Sequence, residues 1–347
     1  MIGLTRKQVL GTLAVLVVLA GAGIVVVKAL DSEEEPLRPQ ISTQGIELAG
    51  CPAPSRYGTA PTAVAGAMPT YRVGSVRDNQ SYDLRSAQIV GYPTAHNYPL
   101  MFGKNNPGRS TCVVGGTVVG HQPRDLTWWT MKHRVDGDGL NIKSNGGTVD
   151  GIRIDNVEDG IATTGKDPGG IVIRNAYLSY IRDDCIENDW IVKVTLRDSL
   201  LDGCFNGISE RPGPSADPER APAGESMTLD RVLLRLQPMP YDTSRAKCRR
   251  NAVDGLASST FFKWSSFANR LVVRNTILLA ERPSVNCTAS MHLPRRAAYE
   301  NVTLVWLGPG AYPGDLPPSG VTVTTDRSVW DQARASWLAR HGYPVAP

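Results

Sequence analysis

An all-β fold, a right-handed parallel β-helix, is the class this sequence predicts, on three observations. The chain of 347 residues carries 34 Gly and 25 Pro but only 20% charged residues, a turn-rich composition. From residue 71 onward, short β-branched runs alternate with Gly, Asn and Asp. Above all, one pattern repeats. Gly139-Leu140-Asn141, Gly160-Ile161-Ala162, Cys185-Ile186-Glu187 and Gly207-Ile208-Ser209 each set a small residue before an aliphatic one. Asp138, Asp159, Asp184 or Asn206 precedes them, and the intervals are 21, 25 and 22 residues.

A second column agrees. Segments 175–178, 198–201, 231–234, 275–278 and 301–304 share a pattern at steps of 23, 33, 44 and 26. The step of 44 reads as two turns of 22, and the step of 33 as one turn enlarged by the Pro-rich stretch 211–225. A period near 22 with three short strands is what a parallel solenoid requires, because equivalent side chains then stack at the strand spacing of about 4.8 Å. The Asn or Asp at each corner bonds turn backbone. A β-sandwich, the structural rival, gives no reason for columns at a fixed step.

Four segments follow from the chain order. Residues 1–30 read as a membrane anchor: Val9 to Val27 is a run of 19 without charge, preceded by Arg6 and Lys7. Such a helix spans about 28 Å, close to the hydrocarbon thickness of a bilayer, with the basic end in the cytoplasm. A cleaved signal peptide is the alternative, and both readings export the remainder, single-pass at the cell membrane or secreted. Residues 31–70 read as a linker, 71–325 as the β-helix, and 326–347 as a C-terminal capping helix. In that helix Ser328 and Asp331 form a capping box, and Val329, Trp330, Ala333, Trp337 and Leu338 recur at helical spacing. It reads as a lid over the open strand edges, with both tryptophans packed.

Six cysteines, an even number, fit an oxidising compartment, and neighbours in sequence would pair as Cys51–Cys112, Cys185–Cys204 and Cys248–Cys287, one of 15 pairings; the alternative is that Cys185 and Cys204 are small buried residues of a stacked core. A net charge of +4 gives no case for nucleic acid as a partner. The cluster Arg245, Lys247, Arg249 and Arg250 reads as a solvated loop. The five histidines lack ligand spacing and the cysteines lack C-x-x-C pairs, so His/Cys metal chemistry is unsupported. Trp128 and Trp129 read as a buried strand end rather than a sugar groove.

The chemistry lies beside the first column. Asp138, Asp159, Asp183, Asp184, Glu187, Asp189 and Glu210 flank it, with Lys143 and Arg211 among them. Carboxylates stacked at about 5 Å raise one another's pKa. Such a group holds a proton for a leaving oxygen, or supplies hard oxygens for calcium, and the sequence leaves the cofactor open.

Asp183-Asp184-Cys185-Ile186 resembles the Asp-Asp-Cys element of polygalacturonases, and Glu158-Asp159-Gly160-Ile161 their Asn-Thr-Asp-Gly element. The resemblance implies a right-handed β-helix and catalytic roles for Asp159, Asp183 and Asp184 in inverting hydrolysis of polyuronides. Where that family continues with Gly-His-Gly, this chain has Phe205-Asn206-Gly207. In its repeat the chain also resembles pectate-lyase-like β-helix enzymes, which implies an arginine or lysine base, and Arg211, next to Glu210, is the candidate. The expectation is a polysaccharide-processing lyase or hydrolase whose site draws on Asp159, Asp183, Asp184, Glu187, Glu210 and Arg211. The alternative is a non-catalytic carbohydrate-binding or cell-surface structural protein.

Overall fold

Residues one repeat apart pair in parallel register along three columns. In the first, Leu100, Leu140, Ile161, Ile186, Ile208 and Phe262 stand in unbroken succession. The second runs Val113, Val149, Ile173, Leu196, Leu229, Val273. The third runs Ile89, Val118, Ile154, Leu178, Leu201, Leu234, Leu278, Leu304. All of these side chains are buried, so the ladders form a continuous apolar core. The computed structural model describes residues 61–90, 98–135, 137–164, 170–211, 226–265, 270–315 and 317–344. Eighteen strands join one sheet, and its parallel connectivity is consistent with a parallel β-helix. The predicted anchor and most of the linker lie outside these residues. Among the described helices none is long and apolar enough to cross a membrane.

The small residue of the repeat has a steric cause. A Cβ at Gly139 would lie 2.6 Å from Ile154 Cγ2, and one at Gly207 would lie 2.8 Å from Leu234 Cδ1. At this corner the chain enters the first column against the third, so both the small residue and the aliphatic one after it face inward. Cys185 uses the same space to bridge to Cys204 on the next coil. The second pattern also marks a corner. Asn175, Asp198, Arg231, Asn275 and Asn301 all adopt left-handed backbone, φ between 42° and 55°, which Asn and Asp tolerate best.

Several expectations need correction. The step of 44 is a single coil: Leu233 pairs directly with Ile277. The surplus residues leave the coil, form a small hairpin (Met239–Pro240 with Leu256–Ala257), and return as Phe262–Trp264 of the first column. The first strand, Thr62–Met68, begins inside the segment read as linker and pairs with Ser81–Val90. Trp128 and Trp129 open a helix, α1 (Trp128–Arg134), capped by the Thr127 side chain, and not a strand end.

The C-terminal helix, α2 (Ser328–Arg340), does form, but without the predicted capping box. Arg327 is the N-cap, and the Asp326 carboxylate accepts the Ser328 N–H at 2.9 Å. Nor does α2 close an end of the solenoid. Trp330, Trp337 and Leu338 pack on Tyr177, Leu200, Leu233, Leu279 and Val305, the outward side of the third column over successive coils. Both tryptophans are buried, as packing requires. Two predicted disulfides are present, Cys185–Cys204 and Cys248–Cys287. Cys112 is disulfide-bonded too, while Cys51 lies outside the described residues.

Candidate functional site

The outward positions of the first column gather acid. Asp138 and Asp159 pair in register, as do Asp184 and Asn206. The row after the aliphatic residue reads Asn141, Ala162, Glu187, Ser209, Lys263. These carboxylates are not a solvated line. Asp138, Asp159, Asp183, Asp184 and Glu210 are all buried, and Glu187 is half-buried.

Regular alternation would send Asp183 and Asp184 to opposite faces. The strand Tyr177–Glu187 loses register between Ile181 and Asp184, and this irregularity puts both carboxylates into one cluster. Asp159 ties them together. Its Oδ1 accepts the Asp184 N–H at 2.8 Å, and its Oδ2 lies 3.9 Å from Lys132 Nζ. The same ammonium reaches Asp183 Oδ2 at 3.2 Å and Glu158 Oε1 at 3.1 Å. Lys263 Nζ meets Asp184 Oδ2 at 2.6 Å. Asp183 Oδ1 accepts from Asn206 Nδ2 at 2.7 Å and from Trp128 Nε1 at 3.1 Å.

Helix α1 delivers Trp128 and Lys132, and the strand beneath holds α1 in place. Arg182, buried beside Asp183, donates to the carbonyls of Pro123 (3.2 Å) and Leu126 just before the helix. Trp128 stacks on Phe205 and Tyr241 at 5.6 and 5.9 Å between ring centroids.

Buried carboxyls outnumber the two lysines, so the proton affinities diverge. Burial and the neighbouring Asp183 hold the Asp184 carboxyl well above the usual carboxylate range. Burial, opposed by Lys132, moves Asp159 up to about 6. Burial with Asp159, Asp138 and Asp184 nearby pushes Glu187 up to about 11. Asp183 goes the other way: burial opposes its charge, but Lys263, Lys132 and the Trp128 N–H outweigh it and hold its carboxyl low. Both lysines lie above their ordinary value, because the carboxylates overcome the effect of burial. Adjacent carboxyls driven apart in this way are how one site supplies an acid and a base.

Oxygens of Asp138, Asp159 and Glu187 lie within 4.8 Å of one another, hard donors suited to calcium. They supply three of the roughly six to eight oxygens that calcium takes. The second such group, Glu158, Asp159 and Asp183, already surrounds the Lys132 ammonium.

A cleft of about 750 Å³ opens beside the cluster. Among its described lining residues, Asp183 is the one carboxylate against six cations, Lys132, Lys263, Arg211, Lys247, Arg295 and Arg296. Trp128, Phe205, Tyr241, Phe262 and Trp264 add aromatic surface. The supposed solvated loop thus contributes Lys247 to the cleft, and its Arg245 lies 3.6 Å over the Trp129 ring.

Of the six candidate residues, the structure brings Asp159, Asp183, Asp184 and Glu187 together. Asp183 and Arg211 reach the cleft lining. Glu210 is fully buried, and its Oε1 accepts from Asn188 Nδ2 at 2.5 Å. The Arg211 N–H donates to Asp189 Oδ1 at 2.9 Å. Sequence reasoning missed Lys132, Lys263, Trp128 and Asn206. Of these only Asn206 carried a signal, since it holds the corner position that Asp fills elsewhere.

Compared with protein-family models, curated proteins and solved structures, the chain matches none. Fold and site therefore define a class and no more: a large parallel β-sheet, consistent with a parallel β-helix, with a buried carboxylate–lysine cluster beside a cleft lined by six cations.

Proposed function

We propose that the chain is an exported polysaccharide-processing protein that cleaves uronate-type glycans in this cleft. One observation carries the reading: a single carboxylate, Asp183, shares one lining with six cations and five aromatic side chains. Cations attract and align a chain of carboxylated sugars, and aromatic faces suit the C–H faces of pyranose rings.

Hydrolysis fits the residues better than elimination. A lyase base must be neutral to take a proton, and both lysines are held firmly charged. In the hydrolytic reading Asp183, ionised, takes a proton from water, whose oxygen attacks the anomeric carbon. The glycosidic C–O bond breaks, and Asp184 donates its proton to the departing oxygen. Inversion requires room for that water, with the carboxyls about 6.5–9.5 Å apart. The polygalacturonase-like elements at 158–161 and 183–186 support these roles, and the solenoid then winds right-handed, as nearly all parallel crossovers do. Two disulfides support an oxidising compartment, and the apolar run at 9–27 supports anchorage through that segment.

Binding without cleavage is the second reading. It is favoured by the burial of Asp159 and Asp184, which do not line the cleft. The test is polygalacturonate digestion with the wild type and Asp183→Asn. New reducing ends that vanish in the variant, without ultraviolet-absorbing products, support hydrolysis. Unsaturated products overturn it in favour of a lyase, and retention of intact glycan leaves the binding reading.

A further inference from the structure

Trp190 is the one tryptophan with an exposed side chain, 42% accessible, while the other six are buried or half-buried. A single exposed hydrophobic residue needs no explanation. The turn that carries Trp190 does. Asn188, wholly buried, donates from Nδ2 to the Val192 carbonyl (2.8 Å) and to Glu210 Oε1 (2.5 Å). Its Oδ1 accepts from the Val192 N–H (3.1 Å) and the Thr163 hydroxyl (2.8 Å). The Ile191 N–H donates to the Asn188 carbonyl at 2.9 Å. Ile191 itself adopts left-handed backbone at φ 53°, rare for a β-branched residue, and tucks its side chain inward at 3% exposure. A strained residue held by a satisfied buried network marks a conformation fixed for a purpose. What this one fixes is an indole turned to water.

The turn that carries the indole touches the cleft lining through the residue before Trp190. Asp189, the residue before it, accepts the Arg211 N–H and the Ser209 hydroxyl on one oxygen, at 2.9 and 2.8 Å. Arg211 lines the cleft, and so does Lys263, the register partner of Ser209.

We propose that Trp190 is a stacking platform for a sugar ring of the glycan beyond the cleft, a subsite held rigid by Asn188 and Glu210. Glu210 is then a positioning residue and not a catalytic one. The inference rests on the glycan reading above. On this reading oligomers confined to the cleft miss the platform, and longer ones engage it.

Calorimetric titration of the full-length protein in detergent, with short and long oligogalacturonates, tests it. Trp190→Ala is expected to weaken the long oligomer about 5- to 50-fold and to leave the short one unchanged, the usual range for one aromatic stack. Trp190→Tyr retains most of the affinity. Indole fluorescence shifts on binding the long oligomer in the wild type, and that shift is smaller in the variant. Equal affinity of wild type and Trp190→Ala for the long oligomer, with an unchanged melting temperature, overturns the platform and leaves the cleft reading standing. A wild type that binds neither oligomer overturns the cleft reading and the platform with it.

Discussion

Lys263 Nζ lies 2.6 Å from Asp184 Oδ2, joining residues 79 positions apart in the chain. Asp184 is 2% exposed, so the lysine meets a carboxyl group stripped of water. The partner arrives on the strand Phe262–Trp264, which enters the first column only after the long excursion from the coil.

Lys263→Met therefore leaves Asp184 without its cation. Loss of the cation raises the Asp184 carboxyl further still, and the cost is about 2–3 kcal/mol, the scale of a charged hydrogen bond. Chemical denaturation measures this, and an unchanged midpoint would show the pair to be incidental.

Glu187 couples stability to pH. Its carboxyl rises from 4.5 unfolded to about 11 folded, through burial and then Asp159, Asp138, Asp184 and Asp189. At this residue the folded state holds a proton that the unfolded chain has released, so the Glu187 contribution to stability is full below pH 4.5 and declines as pH climbs towards 11. Glu187→Gln removes the penalty. Its melting temperature is expected to exceed that of the wild type by a few degrees at pH 8 and to match it near pH 4, by scanning calorimetry. A constant difference across that range defeats the prediction.

Gly207→Ala tests the corner. The added Cβ would sit 2.5 Å from the Phe261 carbonyl oxygen, a backbone atom that cannot turn aside. The coil must shift, at a cost of about 1–3 kcal/mol. Urea unfolding reads the loss, and full stability would mean that the small residue is not sterically required.

Trp337→Ala probes the docking of α2. The indole is 1% exposed, and its N–H donates to the Asp198 carbonyl at 3.1 Å. A loss of about 3–5 kcal/mol is expected, with trypsin cleaving first at Arg334 or Arg340. Cleavage elsewhere first would mean that α2 is not the element released.

Local rules explain what was legible in the sequence. Side chains at a fixed step share one environment in a solenoid, so the repeat wrote itself into Leu140, Ile161, Ile186 and Ile208, and the αL corners into Asn175, Asp198, Asn275 and Asn301. The step of 44 misled because a loop outside the coil adds residues without adding a turn. The capping box at Ser328 misled because Asp326 competes for the same N–H group.

By itself the sequence determined the parallel repeat, its small corner residues and the gathering of acids beside the first column, because those depend on neighbours one coil away. Only the tertiary structure decided that the acids are buried, that Asp183 and Asp184 share one cluster, and that Lys132 and Lys263 neutralise it. Those outcomes depend on α1 and on the returning strand at 262–264, which reach the site across tens of residues with no periodic trace. A single charge brought to a buried site by such a long connection leaves no pattern in the sequence, whereas a repeated environment must.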